Sequence, residues 1–238
     1  MSLNPTALFT RLFPSLVRRI WEYKFSGGEK SYSQEGEDRV LSRYFHGSKP
    51  GFFVDVGAHD PFRFSNTHLF YQKGWRGVNV DAAPGSMTLF RKHRPGDTNV
   101  ESGVGLERRT MPFFVFNEPA LKSFDEALSR SRESDQYQIV EVVQVPVRPL
   151  SEILAGHLPG EKVPAFLTVD VEGLDLDVLR SNDWTVFRPE FVLVECLESC
   201  AEDVPGSPVT AFMASVGYRF EAKTMNTVFY RSRASVDV

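Results

Sequence analysis

The chain has 238 residues, 42% of them hydrophobic and 24% charged, with a formal net charge of −4. This composition allows one full core in an α/β domain with an appendage, and the acidic balance argues against a broad nucleic-acid-binding face, which needs clustered Lys and Arg. No apolar run approaches the roughly 20 residues of a membrane span. Cys196 and Cys200 lie four apart and form neither a disulfide framework nor a zinc pattern, which suits reduced thiols and a cytoplasmic location.

At the N-terminus, Leu8, Phe9, Leu12, Phe13, Leu16, Val17, Ile20 and Trp21 recur in pairs every four residues and form one broad helical face. Arg11, Arg18 and Arg19 interrupt the apolar residues, so the segment does not read as a signal peptide. The expectation is an extension over residues 1–30 that packs on its own domain or on a second copy. Contact with a membrane surface is the less favoured reading. The main domain is expected over residues 31–238.

Ser33-Gln-Glu-Gly-Glu-Asp38 predicts a helix capped by Ser33, with acids in its first turn and Val40, Leu41, Tyr44 and Phe45 on its buried face. Phe52 to Val56 is a short β-branched run that predicts a strand buried on both faces. It ends in Asp55-Val-Gly57, where a sharp turn lets a ligand approach the main chain. A helix start at Ser65-Asn66-Thr67 and a stop at Gly74 follow, then a second strand, Gly77-Val-Asn-Val-Asp81. Acids end both strands 26 residues apart, and an acid at the second position can accept both ribose hydroxyls in a nucleotide-binding βαβ unit.

Asn99 to Gly103 reads as a third strand end, and Met111 to Phe116 and Ile139 to Val147 as further strands. Ser123 to Gln138, polar and charged, reads as a helix or lid, or as a solvated insertion. Ala165 to Gly173 and Phe191 to Glu195 repeat the pattern of an apolar run ending in acids. If these strands lie parallel to the first, Asp170, Glu172 and Glu195 meet Asp55 and Asp81 at one sheet edge. Such carboxylates repel one another unless a cation, a bound hydroxyl or a proton intervenes. An amphipathic helix (Val209, Phe212, Met213, Val216) and a hairpin (Tyr218 to Ala222, Thr227 to Arg231) close the chain.

Taken in order, Ser33-Gln-Glu-Gly-Glu-Asp38, Val54-Asp-Val-Gly-Ala58, Ser65-Asn-Thr67, Gly74-Trp-Arg-Gly77, Val80-Asp81, Val169-Asp-Val-Glu-Gly173, Val192-Leu-Val-Glu195 and Asn226-Thr-Val-Phe229 resemble the FkbM-type S-adenosylmethionine-dependent methyltransferases. His59-Asp60-Pro61 departs from the glycine-containing turn commonest there and resembles a subgroup associated with polysaccharide biosynthesis. The resemblance implies a Rossmann-like, doubly wound seven-stranded sheet of the class I methyltransferase type. It implies S-adenosylmethionine as cofactor, with O-methylation of a sugar, a polysaccharide precursor or a related small-molecule or glycan acceptor. By position it puts Asp55, Gly57 and Ala58 along the methionine half of the cofactor, Asp81 with Ala82 at the ribose, Ser102 and Gly103 near the adenine, and Gln34 and Asn66 at the amino-acid end. Asp170, Glu172 and Glu195 are the candidate catalytic acids, acting as a base or as ligands of a divalent cation such as Mg²⁺. A sugar-nucleotide-binding or -modifying protein using the same acidic ribose clamp is the alternative reading.

Overall fold

The computed structural model describes residues 29–158, 163–196 and 201–235. The chain divides into two compact units, Met1–Ser31 and Tyr32–Val238. The helix expected from Leu8 to Trp21 lies outside the described residues, and the described elements belong to the second unit.

In chain order that unit begins with α1 (Glu37–Tyr44), β1 (Phe52–Val56), α2 (His68–Gln72), β2 (Arg76–Asp81), α3 (Met87–His93) and β3 (Thr98–Glu101). It continues through β4 (Gly103–Val104), β5 (Arg109–Phe116), α4 (Glu126–Arg132), β6 (Ile139–Arg148) and α5 (Leu150–His157). β7 (Phe166–Val169), α6 (Asp175–Arg180), β8 (Phe191–Glu195), α7 (Pro208–Ser215), β9 (Tyr218–Lys223) and β10 (Thr227–Ser232) complete it. Seven strands form one sheet in the order β3-β2-β1-β7-β8-β10-β9. The first five run parallel, and β10 lies antiparallel to both β8 and β9. β4, β6 and β5 form a separate three-stranded sheet.

Side chains alternate across a strand, so each strand of the main sheet supplies two cores. Val54, Val56, Val78 and Val80 pack with Leu150, Ile153 and Leu154 of α5, Val178 and Leu179 of α6 and Met213 of α7. On the other face Phe53, Phe166, Phe191 and Phe229 pack with Leu41 of α1, Phe70 of α2 and Trp75. Helices therefore cover both faces, and all five residues of β1 are buried. Full burial of one such Phe stabilises by about 1.5–3 kcal/mol, so a polar substitution at Phe53 or Phe166 would open the sheet at its centre. Among the described residues, no helix is long and apolar enough to cross a membrane.

One local expectation needs correction, one is narrowed, and one element was not expected. α1 begins at Glu37 rather than behind a Ser33 cap, because Gly36 takes a left-handed φ of 92° and ends the preceding loop. Ser33 still serves that loop, its hydroxyl oxygen accepting the Asp38 N–H at 3.3 Å. The polar segment after β5 contains α4 and packs on the loop after β7. Finally, α5 has no counterpart in the sequence-based expectation.

Parallel register lays two polar rows across the main sheet. Asn99, Asn79, Asp55, Thr168 and Leu193 are successive partners across β3, β2, β1, β7 and β8. Two residues further on, about 6–7 Å along the strands, the same face carries Asp81, Gly57, Asp170 and Glu195. In the first row Asn79, Asp55 and Thr168 are buried, and Thr67 and Arg94, flanking α2 and α3, hydrogen-bond to it; the second opens into a cleft.

Candidate functional site

The cleft lies over the carboxyl ends of β1, β2, β3 and β7. Its lining includes Gln34, Gly57, His59, Phe64, Asp81, Ala82, Ser102, Phe113, Lys122, Phe124, Asp170 and Glu172. Gln34, Phe64 and Asp170 also line an adjoining recess with Glu35, Glu37, Asn66, Glu195, Asn226 and Thr227. Of the residues singled out by the sequence, Gln34, Gly57, Asp81, Ala82, Ser102, Asp170 and Glu172 reach the cleft, while Asn66 and Glu195 reach the recess.

Asp55, Ala58 and Gly103 do not line either space. Asp55 points back into the fold, where its carboxylate accepts the Thr67 hydroxyl at 2.7 Å. Burial pushes its pKa up to about 6, against the lowering effects of that hydrogen bond and of Arg94. Ala58 is buried against Met87 and Phe90. Gly103 sits in the small sheet, where a Cβ would come within 2.7 Å of Phe124 and Val147.

Gly57 lines the cleft, but its lack of a side chain serves the backbone first. Its φ is 84°, and a Cβ there would stand 1.7 Å from the Asp170 carbonyl oxygen. The turns after β1 and β7 therefore touch at this glycine. Beyond it, the Gly57 and Ala58 N–H groups both donate to the Val80 carbonyl, at 2.9 and 3.0 Å, which ties the turn to β2.

At the end of β2, Asp81 is fixed by two main-chain donors: the His59 N–H reaches Oδ2 at 3.0 Å and the Ala83 N–H reaches Oδ1 at 2.8 Å. Each oxygen keeps a further lone pair, and the carboxylate faces the cleft in one orientation. His59, Phe64 and Glu172 are the non-glycine residues with positive φ among those described, at 55°, 57° and 56°. All three line the cleft. Each such conformation costs on the order of 1–3 kcal/mol, and such strain gathers at functional sites.

Asp170, Glu172 and Glu195 each place a carboxylate oxygen within 4.8 Å of the others. Register brings Asp170 and Glu195 together, since each follows a paired residue in β7 and β8 (Val169 with Val194). No described residue donates a hydrogen bond to either carboxylate. Burial and then repulsion from Glu172 and Asp175 hold Glu195 up to about 8, despite the nearby Arg132. Asp170 is raised well above the usual carboxylate range, by the protein packed around it and then by Glu195 and Glu172. Its side chain is open to the cleft, which tempers the desolvation and leaves the like-charge repulsion as the firmer cause.

Glu172 differs from the other two. Arg132 of α4 donates Nη2 to its Oε2 at 2.6 Å, and the Ser123 hydroxyl donates to its carbonyl at 2.7 Å. Asp175 completes this loop by accepting the Val171 and Gly173 N–H groups at 3.1 and 3.2 Å. The sequence reading assigned no site role to His59, Phe64, Lys122, Phe124 or Arg132. Arg132 carried one signal, a basic residue in the last turn of a short helix within the polar segment.

The sequence profile of the methyltransferase FkbM domain family matches residues 55–220. The chain belongs to this family of S-adenosylmethionine-dependent methyltransferases. The match spans β1 to β9, including Asp55, Asp81, Asp170 and Glu195, and it favours methyl transfer over the sugar-nucleotide reading. No curated protein matches the chain significantly. Among solved structures, a TehB-like SAM-dependent methyltransferase from Corynebacterium glutamicum is 9% identical, with a TM-score of 0.43 over 97% of this chain and 100% of its own. A Burkholderia thailandensis 1,6-didemethyltoxoflavin-N1-methyltransferase is 12% identical, with a TM-score of 0.42 over 98% of this chain and 92% of its own. The glycopeptide N-methyltransferase MtfA is 12% identical, with a TM-score of 0.38 over 89% of this chain and 94% of its own. The family assignment rests on the profile match, and these distant likenesses say nothing of the acceptor.

Proposed function

We propose that the cleft binds S-adenosylmethionine and directs its methyl group to a hydroxyl of a sugar, a polysaccharide precursor or a related natural product. The observation that carries this reading is the single row of Asp81, Gly57, Asp170 and Glu195 across four adjacent strands. It sets a fixed carboxylate at one end and, at the other, two acids that receive no hydrogen bond from any described residue.

The cleft's chemistry suits that cofactor. Asp81, clamped by two N–H groups, keeps lone pairs for the ribose hydroxyls. Ala82, Ser102 and the apolar Val104, Phe113 and Phe124 give the adenine a mainly apolar bed. Gln34 and Asn66, beside Glu35 and Glu37, form an acid-rich end that favours the cofactor's cationic groups. When bound, the sulfonium supplies an already activated methyl. The protein then has to align the acceptor oxygen with it and take the hydroxyl proton.

We assign proton acceptance to the Asp170–Glu195 pair. A base works best with a pKa near the working pH, and Glu195, at about 8, meets that condition. Asp170 lies beside it with no hydrogen-bond donor among the described residues. Glu172 is held by Arg132 and acts as a positioning residue. The three carboxylates are also an all-oxygen set that suits Mg²⁺, but Arg132 already supplies Glu172 with a cation, which favours proton transfer without a metal.

The test is methyl transfer from methyl-labelled S-adenosylmethionine to extracted carbohydrate precursors, with and without EDTA. An alkali-stable methyl ether formed equally well in EDTA is the expected result. Label released by mild alkali would indicate a carboxyl acceptor and contradict the hydroxyl assignment. Activity lost in EDTA and restored by Mg²⁺ would transfer the acids to a metal.

A further inference from the structure

Charge is unevenly distributed around the cleft. Its acids gather where β7 and β8 end, whereas Lys122 is the one lysine or arginine among the described residues lining it. The main chain beside Lys122 is fixed on two sides. Ser123 and Phe114 exchange backbone hydrogen bonds at 2.9 and 3.3 Å, and the Ser123 hydroxyl donates to the Glu172 carbonyl.

Carboxylates flanking this segment in sequence or facing the cleft have other partners. Glu118 accepts from Arg63 and from the Ala120 N–H. Asp125 caps α4 by accepting the Leu128 N–H. Asp60 accepts the N–H groups of Phe62 and Arg63, and Asp81 is clamped as described above. Among the described residues none forms an ion pair with Lys122. His59, which also lines the cleft, has its pKa lowered first by burial and then by this ammonium. Lys122 is half-buried on a segment fixed at two points and lines the cleft with no ion-pair partner among the described residues, so its ammonium is available to an anion bound there.

We propose that Lys122 is the anion-holding residue of the cleft, its ammonium binding a carboxylate or phosphate of the small molecule lodged there. The inference rests on the cleft being the methyltransferase site. Two molecules can supply that anion: the acceptor, which would then be an acidic sugar or a sugar phosphate, and the cofactor, through its α-carboxylate.

Calorimetry on the full chain and on Lys122→Met and Lys122→Arg separates the sources with three probes. These are S-adenosylhomocysteine, 5′-methylthioadenosine (the same nucleoside without the amino acid), and pyrophosphate added at saturating S-adenosylhomocysteine. Loss of a charged hydrogen-bond partner predicts about tenfold weaker binding in Lys122→Met, with most of it restored in Lys122→Arg. If the acceptor carries the anion, only pyrophosphate weakens. If the cofactor carries it, S-adenosylhomocysteine weakens and methylthioadenosine does not. Equal affinities of wild type and Lys122→Met for S-adenosylhomocysteine and pyrophosphate, with unchanged melting temperature, would overturn the assignment. Failure of the wild type itself to bind S-adenosylhomocysteine would instead overturn the reading of the cleft.

Discussion

Two polar rows cross the same face of the same sheet, two residues apart, and they are used in opposite ways. In the inner row the polar groups satisfy one another. Asp55 accepts from Thr67, Asn66 donates to Thr168, and Asn79 is held by Asn99, Asp97 and Arg94. Arg94 is fully buried and is neutralised by Asp97 at 2.8 Å, also within the fold. In the outer row Asp81 is fixed but keeps lone pairs, and Asp170 and Glu195 receive no hydrogen bond from any described residue. Desolvation raises the pKa of an acid in each row, Asp55 to about 6 and Glu195 to about 8. Thr67 and Arg94 counteract the shift in the inner row, while repulsion among the acids enlarges it in the outer one. An acid at a strand's end thus becomes structural or functional according to whether the next layer of the fold reaches it.

The largest expected effect is in the outer row. Asp170→Asn should lower turnover by about 10²–10⁴-fold, the usual contribution of a general base, without lowering the melting temperature. In the inner row, Asp55→Asn should instead cost about 1–3 kcal/mol of stability, as expected when a buried hydrogen-bonded group loses its match. Turnover of the folded Asp55 variant should stay within roughly tenfold of wild type. Urea denaturation alongside steady-state assays checks both. Comparable turnover losses in both variants, with both folded, would dissolve the distinction between the rows.

The pH dependence sharpens it. Deprotonation of Glu195 near pH 8 should make kcat rise up to about that pH, and Glu195→Gln should abolish the rise. The stability effect has the opposite sign. The folded pKa of Glu195 lies above the ordinary value of about 4.3, so between about pH 4 and 8 the native state binds more protons than the unfolded chain. Stability should therefore fall as pH rises through that window. Glu195→Gln should melt progressively higher than wild type from acid to pH 8, and a constant difference across that range would refute the shift.

The smallest expected effect is at Glu172. It is already matched by Arg132, both side chains being less than a fifth exposed, so Glu172→Gln should reduce turnover less than about tenfold. A partly exposed ion pair contributes about 1 kcal/mol or less. A loss as large as that of Asp170→Asn would return Glu172 to the proton-handling group.

The main sheet was legible because its central strands are short β-branched runs, each ended by an acid beside a turn. The separate fates of Asp55 and Asp170 were not. Both sit in the same local pattern, Val-Asp-Val, and only the inter-strand register, with Asp55 opposite Thr168 and Asp170 one step past Val169, puts one under α2 and the other in the cleft. Ala58 and Gly103 were misplaced for the same reason: nearness in sequence to a cleft residue does not reveal which way a side chain turns. Lys122 and Arg132 lie between β5 and β6 in a stretch without periodicity, so only its packing on the loop after β7 gives them a place. α5 did carry a signal, with Leu150, Ile153 and Leu154 at helical spacing behind Pro149.

In the proposed function the outer row divides its labour, Asp81 holding the cofactor and Asp170 with Glu195 serving the acceptor. The most direct test is calorimetry of S-adenosylhomocysteine on wild type, Asp81→Ala and Asp170→Asn under one set of conditions. The account predicts that Asp81→Ala weakens binding roughly ten- to a hundred-fold, whereas Asp170→Asn stays within about threefold of wild type, too small a change for a lost charged hydrogen bond. Equal losses in the two variants, or full affinity in Asp81→Ala, would contradict it.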